Sequence, residues 1–148
     1  MAAPPTFDLR DGDRVVLLGA TTIERAQSFG FLETELVRRF PDRDLVFRNL
    51  GWSGDTVWTE SRGIFDPPAK GYARMLEHVA RLKPTVIVLA YGSNESFAGK
   101  AGLKAFEEQL QKLVTDLSAT GARFVLVSPH LVPKLAPPGP TPPRTTPT

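Results

Sequence analysis

Four short apolar runs alternate with stretches of helical periodicity, and this alternation constrains the fold more than any other feature. The runs are Arg14–Gly19 (RVVLLG), Leu45–Leu50 (LVFRNL), 86–92 (VIVLAYG) and 123–128 (RFVLVS). Between the first two, from about Ile23 to Phe40, apolar side chains recur at Phe29, Leu32, Leu36 and Phe40, and Pro41 stops the pattern. From about Gly71 to Leu82, Tyr72, Met75, Val79 and Leu82 share one helical face, and Pro84 separates it from the third run. Leu103, Phe106, Leu110, Leu113 and Leu117 then repeat at three and four residues, with Gly121 placed to end that helix.

Strands alternating with helices specify an α/β fold, a parallel sheet with helices on both faces in three α/β/α layers. Right-handed crossovers bring every strand-to-helix loop to one edge of such a sheet. Those loops are GATTIE, NLGWSGDT, YGSNES and SPH, and a site is expected among them. Thr22 is expected to cap the first helix through its hydroxyl.

The 148 residues suit one domain, placed at 8–135. From Pro129 onward, 8 of the 14 prolines fall within 20 residues. Proline lacks an amide donor and fixes φ, so 136–148 is expected to be a disordered or extended tail. Eighteen basic against 16 acidic residues leave a net charge of +2, too small and too dispersed to indicate a nucleic-acid partner. The absence of cysteine removes disulfides, thiolate catalysis and Cys-based zinc sites. His78 and His130 are the only histidines, so no His-rich metal site is expected. His78, on the helix that carries Leu82, is expected at or near the surface. The start MAAPPTFDLRDGD lacks the pattern of a signal peptide, and no apolar stretch approaches a membrane span. The expectation is a cytoplasmic chain without a membrane partner.

The loop residues carry a resemblance. Gly19-Ala20-Thr21 follows the first strand, Asn49-Leu50-Gly51-Trp52-Ser53-Gly54 the second, and Gly92-Ser93-Asn94-Glu95 the third. In this order they resemble the SGNH hydrolases, the GDSL family of esterases and lipases. That family has Gly-Asp-Ser, Asn-x-x-x-x-Gly and Gly-x-Asn-Asp at these places, and the match covers about residues 14–131. The resemblance implies a flavodoxin-like type of α/β/α fold, and acyl-ester or carbohydrate-ester hydrolysis through a hydroxyl nucleophile, with no cofactor and no metal. By position, Thr21 takes the place of the nucleophilic serine. The Thr21 backbone amide, the Gly54 amide and the Asn94 side chain take the places of the oxyanion donors. Gly54 suits this role because a side chain there would obstruct close approach of its N–H.

The chain also departs from the family. Ala20 stands where the family has aspartate, and threonine adds a methyl that restricts χ1. The family's Asp-x-x-His motif, which follows a fifth strand, is not found. The resemblance therefore implies four strands of a five-strand sheet without the fifth strand and last helix, and weak or no activity for the chain as written. Family members are often exported. A premature or out-of-frame end would leave the fourth strand as an open edge, inviting self-association.

His130 is the remaining candidate base. In the family's strand order, 2-1-3-4-5, which the resemblance implies, Thr21 and His130 start roughly 10 Å apart, whereas proton transfer needs about 3 Å. Trp52 and Trp58 flank the Gly54 loop, where they could wall an acyl or sugar pocket or seal the top of the core. Asp55 and Thr56 are expected to shape the loop through side chain-to-backbone bonds. Glu95 is placed either to shape its loop or to contact substrate. The competing reading is a noncatalytic carbohydrate- or acyl-ligand-binding domain on the same fold. A nucleotide or flavin module is disfavoured, because GATTIE has one glycine and neither G-x-G-x-x-G nor G-K-[ST] follows the first strand.

Overall fold

The computed structural model describes residues 7–130. Strands β1 (Arg14–Gly19), β2 (Val46–Gly51), β3 (Val86–Ala90) and β4 (Arg123–Leu126) form one parallel sheet in the order β2-β1-β3-β4. Helices α1 (Thr21–Ala26), α2 (Phe31–Arg39), α3 (Pro68–Leu82) and α4 (Gly99–Leu117) flank it. Short 3-10 turns at Glu60–Gly63 and Glu95–Ala98 lie in the loops after β2 and β3.

The sheet is buried on both faces because successive residues of a strand point to opposite sides. Val16 and Leu18 of β1 join Ile87 and Leu89 of β3 against Met75 and Val79 of α3 and Leu113 and Leu117 of α4. On the other face Val15, Leu17 and Val86 meet Leu9 and Ile23, with Leu36 and Phe40 packed alongside. Such double coverage is why β1 reads as a continuous apolar run rather than an alternating one. The result is the three-layer α/β/α architecture expected from the alternation.

Three local expectations change. The segment from Ile23 to Phe40 is two helices, not one. The chain turns at residues 27–30, and Gly30 adopts a left-handed φ of 62°. Phe29, placed on the inner face by its spacing, falls in this turn and is 71% exposed. The first helix is entered at Thr21 with Ala20 at its N-cap, and no side chain caps it. Thr22 is thus already inside the helix and cannot supply the cap. The expected tail at 136–148, together with residues 131–135, lies outside the described residues.

The register prepares the site. Gly19 is level with Gly51 on one side and Ala90 on the other, so the three following loops leave the sheet at the same height. The end of β2 is seated on α1. A Cβ on Gly51 would come within 2.2 Å of the Glu24 backbone nitrogen. Asn49 reinforces this seat, donating to the Ile23 carbonyl at 2.7 Å and accepting from the Gly51 amide at 2.8 Å. The invariant geometry needed here is the close packing of a strand end on a helix start, which only glycine allows.

Candidate functional site

Thr21, the first residue of α1, keeps its side chain half-buried at the loop edge of the sheet. Its Oγ1 accepts a hydrogen bond from the Gly54 amide at 2.9 Å. Gly54 can present that amide because Trp52–Asp55 forms a tight turn, closed by the Asp55 amide donating to the Trp52 carbonyl at 3.1 Å. Gly54 is the third residue of this turn, where its φ of 69° strongly favours glycine. The turn is pinned at both ends. The Trp52 amide donates to the Gly19 carbonyl at 3.0 Å, and the Ser61 hydroxyl donates to the Gly54 carbonyl at 3.0 Å.

Asn94 follows β3 and reaches the same turn. One hydrogen of its amide goes to the Asp55 carbonyl at 2.7 Å; a primary amide has a second to offer. Glu95 ties the two loops together. Its Oε1 accepts from the Val57 amide at 2.8 Å and its Oε2 from the Gly92 amide at 2.9 Å. Both oxygens are therefore engaged by backbone, so loop shaping is the role its geometry displays. Thr56 behaves similarly, accepting from the Trp58 amide at 3.3 Å and donating to Glu60 at 3.1 Å.

The two tryptophans part company. Trp52 is 41% exposed, with the Arg62 guanidinium 5.8 Å from the centre of its ring. Trp58 packs against the core and lines a separate cleft of about 420 Å³ with Tyr72, Gln109 and Lys112. His130 is exposed beyond β4. It borders a cavity of about 60 Å³ with Thr22, Ser93 and Pro129, and Thr21 is not among the residues around it. Among the described residues, no imidazole or carboxylate accepts a hydrogen bond from Thr21. His78 is exposed on α3.

Sequence reasoning missed what lies beneath the turn. Asp55 is fully buried, and the expected contact with neighbouring backbone, at Thr56, is the lesser part of its bonding. Its Oδ2 takes Arg62 Nε at 2.6 Å and the Tyr91 hydroxyl at 3.1 Å. Arg62 also donates to the Leu50 carbonyl at 2.7 Å. Burial raises the Asp55 carboxyl above its ordinary value, a rise that Arg62 and the Tyr91 hydrogen bond only partly oppose. Burial likewise raises the Tyr91 phenol, and the neighbouring Asp55 charge adds to the rise. The only trace in the sequence is an acid set among Trp52, Val57 and Trp58; its arginine lies seven residues on and its tyrosine just past the end of β3.

A parallel α/β/α sheet that gathers a turn hydroxyl, a backbone amide and a carboxamide at the ends of its first three strands is the ground plan of the SGNH hydrolases. The GDSL-like lipase/acylhydrolase family profile matches residues 18–148, and the chain belongs to that family. No curated protein matches its sequence. Three solved structures share the fold. LAE5, an α/β hydrolase from the metagenome of Lake Arreo, Spain, is 21% identical with a TM-score of 0.60, over 80% of this chain and 61% of that one. TesA is 25% identical with a TM-score of 0.54, over 76% and 58%. Axe2, an acetylxylan esterase from Geobacillus stearothermophilus, is 21% identical with a TM-score of 0.57, over 79% and 59%. The chain thus spans about three-fifths of the length of these structures. Its domain is of the ester-hydrolase type in family and fold. No helix among the described residues is long and apolar enough to cross a membrane.

Proposed function

We propose that the domain hydrolyses small acyl or carbohydrate esters, with Thr21 Oγ1 as nucleophile and Gly54 N–H and Asn94 Nδ2 as oxyanion donors. The observation that carries this reading is the 2.9 Å bond from the Gly54 amide to Thr21 Oγ1. It brings the hydroxyl and the amide to one point. In the resting site the amide is satisfied by the hydroxyl. When Oγ1 bonds to the carbonyl carbon, its hydrogen leaves and it becomes an ester oxygen, a poorer acceptor. The Gly54 N–H is then released to the oxygen that gains charge. Donors engaged more strongly in the transition state than before it are those that accelerate reaction.

The proton from Thr21 needs an acceptor, and His130 is the candidate base at the loop edge among the described residues. General-base catalysis is worth about 10²–10⁴-fold in rate. With His130 bordering the Thr22 cavity, the chain is expected to turn over slowly. The decisive experiment compares hydrolysis of a short-chain aryl acetate by the wild type, Thr21→Ala and His130→Ala. A wild-type rate well above that of Thr21→Ala supports the nucleophile, and equal rates reject it.

Trp52 favours a second reading, noncatalytic binding of a carbohydrate or acylated ligand. Its exposed ring, backed by Arg62, is a surface on which a sugar can stack. Saturable change in tryptophan fluorescence on titration with acetylated xylooligosaccharides, without release of acetate, would select this reading over hydrolysis.

A further inference from the structure

The buried ion pair under the Gly54 turn is unusual for its position. Asp55 has no exposed side-chain surface and Arg62 only 10%. Asp55 Oδ1 has no hydrogen-bond partner among the described residues. A pair this deep gives back in attraction little more than it loses in desolvation, so stability alone is a poor reason for it. What it does have is reach. From the 3-10 turn Glu60–Gly63, Arg62 grips the end of β2 through the Leu50 carbonyl and the far side of the loop through Asp55, and it underlies the Trp52 ring. These contacts bracket the Trp52–Asp55 turn that carries Gly54.

The adjoining bonds transmit this hold. The Asp55 amide closes the turn, and the Asp55 carbonyl takes the Asn94 amide. A shift of Asp55 would therefore disturb both proposed oxyanion donors together. Arginine suits the task because its planar fork bonds in two directions at fixed geometry, which the single ammonium of lysine does not reproduce. We propose that Arg62, locked by Asp55, is the positioning residue of the oxyanion hole, fixing the turn so that the Gly54 N–H points at Thr21 Oγ1. Its catalytic consequence rests on the ester-hydrolase reading, whereas the orientation of the Gly54 amide does not.

The test compares Arg62→Lys and the charge-free pair Asp55→Asn with Arg62→Met in the full chain. Removing both charges avoids stranding a buried ion, so the double variant is expected to remain folded. Two readouts are taken: the Gly54 amide proton resonance, which reports its bond to Thr21, and kcat and KM for an aryl acetate. The expected result is a displaced Gly54 resonance in both variants. kcat should fall about tenfold or more, equivalent to about 1.4 kcal/mol or more of transition-state stabilisation, with KM little changed and Arg62→Lys intermediate. A merely structural role would lower thermal stability but leave the Gly54 resonance and kcat of the folded protein in place, and that result overturns the proposal. Should the double variant not fold, Arg62→Lys carries the same two readouts. A wild type no faster than Thr21→Ala would reject the hydrolase reading, while the Gly54 resonance would still decide the positioning role.

Discussion

Gly54 and Thr21 lie 33 residues apart in sequence and are joined by a 2.9 Å hydrogen bond from amide to hydroxyl. The bond spans the loops after β2 and β1, so it reports directly on how the two meet. Its energetic and chemical parts can be separated by substitution. Thr21→Val preserves the β-branched shape and removes the acceptor. It should leave the Gly54 amide without its partner and abolish ester hydrolysis above background. Thr21→Ser keeps the hydroxyl and relieves the χ1 restriction of threonine, and it should raise kcat. Steady-state hydrolysis of an aryl acetate by the three proteins checks both expectations.

Gly54→Ala isolates the backbone requirement. A Cβ there would meet only Ser61 Oγ, at an ordinary 3.7 Å, so crowding contributes little. The φ of 69° remains, and a non-glycine residue pays about 1–2 kcal/mol to hold a left-handed conformation. The expected outcome is a melting temperature lower by several degrees, with a larger proportional loss of activity as the turn relaxes. Thermal denaturation followed by circular dichroism measures the first part.

Glu95→Ala should loosen the junction between the loops after β2 and β3. It removes the acceptors of the Val57 and Gly92 amides together. An orphaned buried donor costs about 1–3 kcal/mol. Glu95→Gln retains one side-chain oxygen as an acceptor and should lose less. Urea denaturation of the two variants gives the ranking, and near-equal stability with the wild type would show that Glu95 is not the tie described.

Two buried aspartates should pull the pH dependence of stability in opposite directions. For Asp13, burial opposes ionisation, but hydrogen bonds from Thr85, the Arg10 amide and Arg123, with the Arg123 charge, outweigh it and lower its pKa below 3.8. The unfolded state then binds the proton more readily. Its contribution is present above that value and lost as pH falls through the lowered one. Asp55 is the reverse. Its raised pKa means the folded state binds the proton more readily, so its contribution is present below 3.8 and lost as pH rises through the raised value. Asp13→Asn should therefore flatten the acid side of a stability profile, and Asp55→Asn the slope just above it. Denaturant titrations from pH 2.5 to 7 provide the profile.

The side of β4 left unpaired among the described residues should support association between copies. Among the described residues β4 is paired only with β3; Leu126 at its end is 60% exposed and Val127, just beyond it, 45%. An unpaired edge with apolar side chains is a template for another strand. Light scattering of the 148-residue chain should show mass rising with concentration, and Leu126→Lys should suppress the rise. A monomer at high concentration would reject the expectation.

Much of the architecture is legible in the sequence because it follows from periodicity. β1 is found at its expected bounds, and Met75, Val79, Leu113 and Leu117 are buried as their spacing requires. Periodicity fails between Ile23 and Phe40, where Gly30 permits a turn that the apolar spacing conceals. It fails again at Thr22, since a cap depends on where the backbone leaves the strand. Of the site, Thr21, Gly54 and Asn94 could be picked out because the loops after the first three strands resemble the motifs of the SGNH hydrolases. Their mutual bonds could not.

The sequence by itself determined the layers, the strand-end loops and the residue types those loops offer, since each follows from local pattern and chain chirality. Only the tertiary structure decided which of those groups meet. It spent both oxygens of Glu95 on backbone amides, sent Trp52 and Trp58 to different surfaces, and placed Arg62 against a fully buried Asp55. The physical reason is that burial and hydrogen-bond partnership are properties of pairs distant along the chain. They come into being only when β1, β2 and β3 align and their loops must satisfy one another's polar groups away from water.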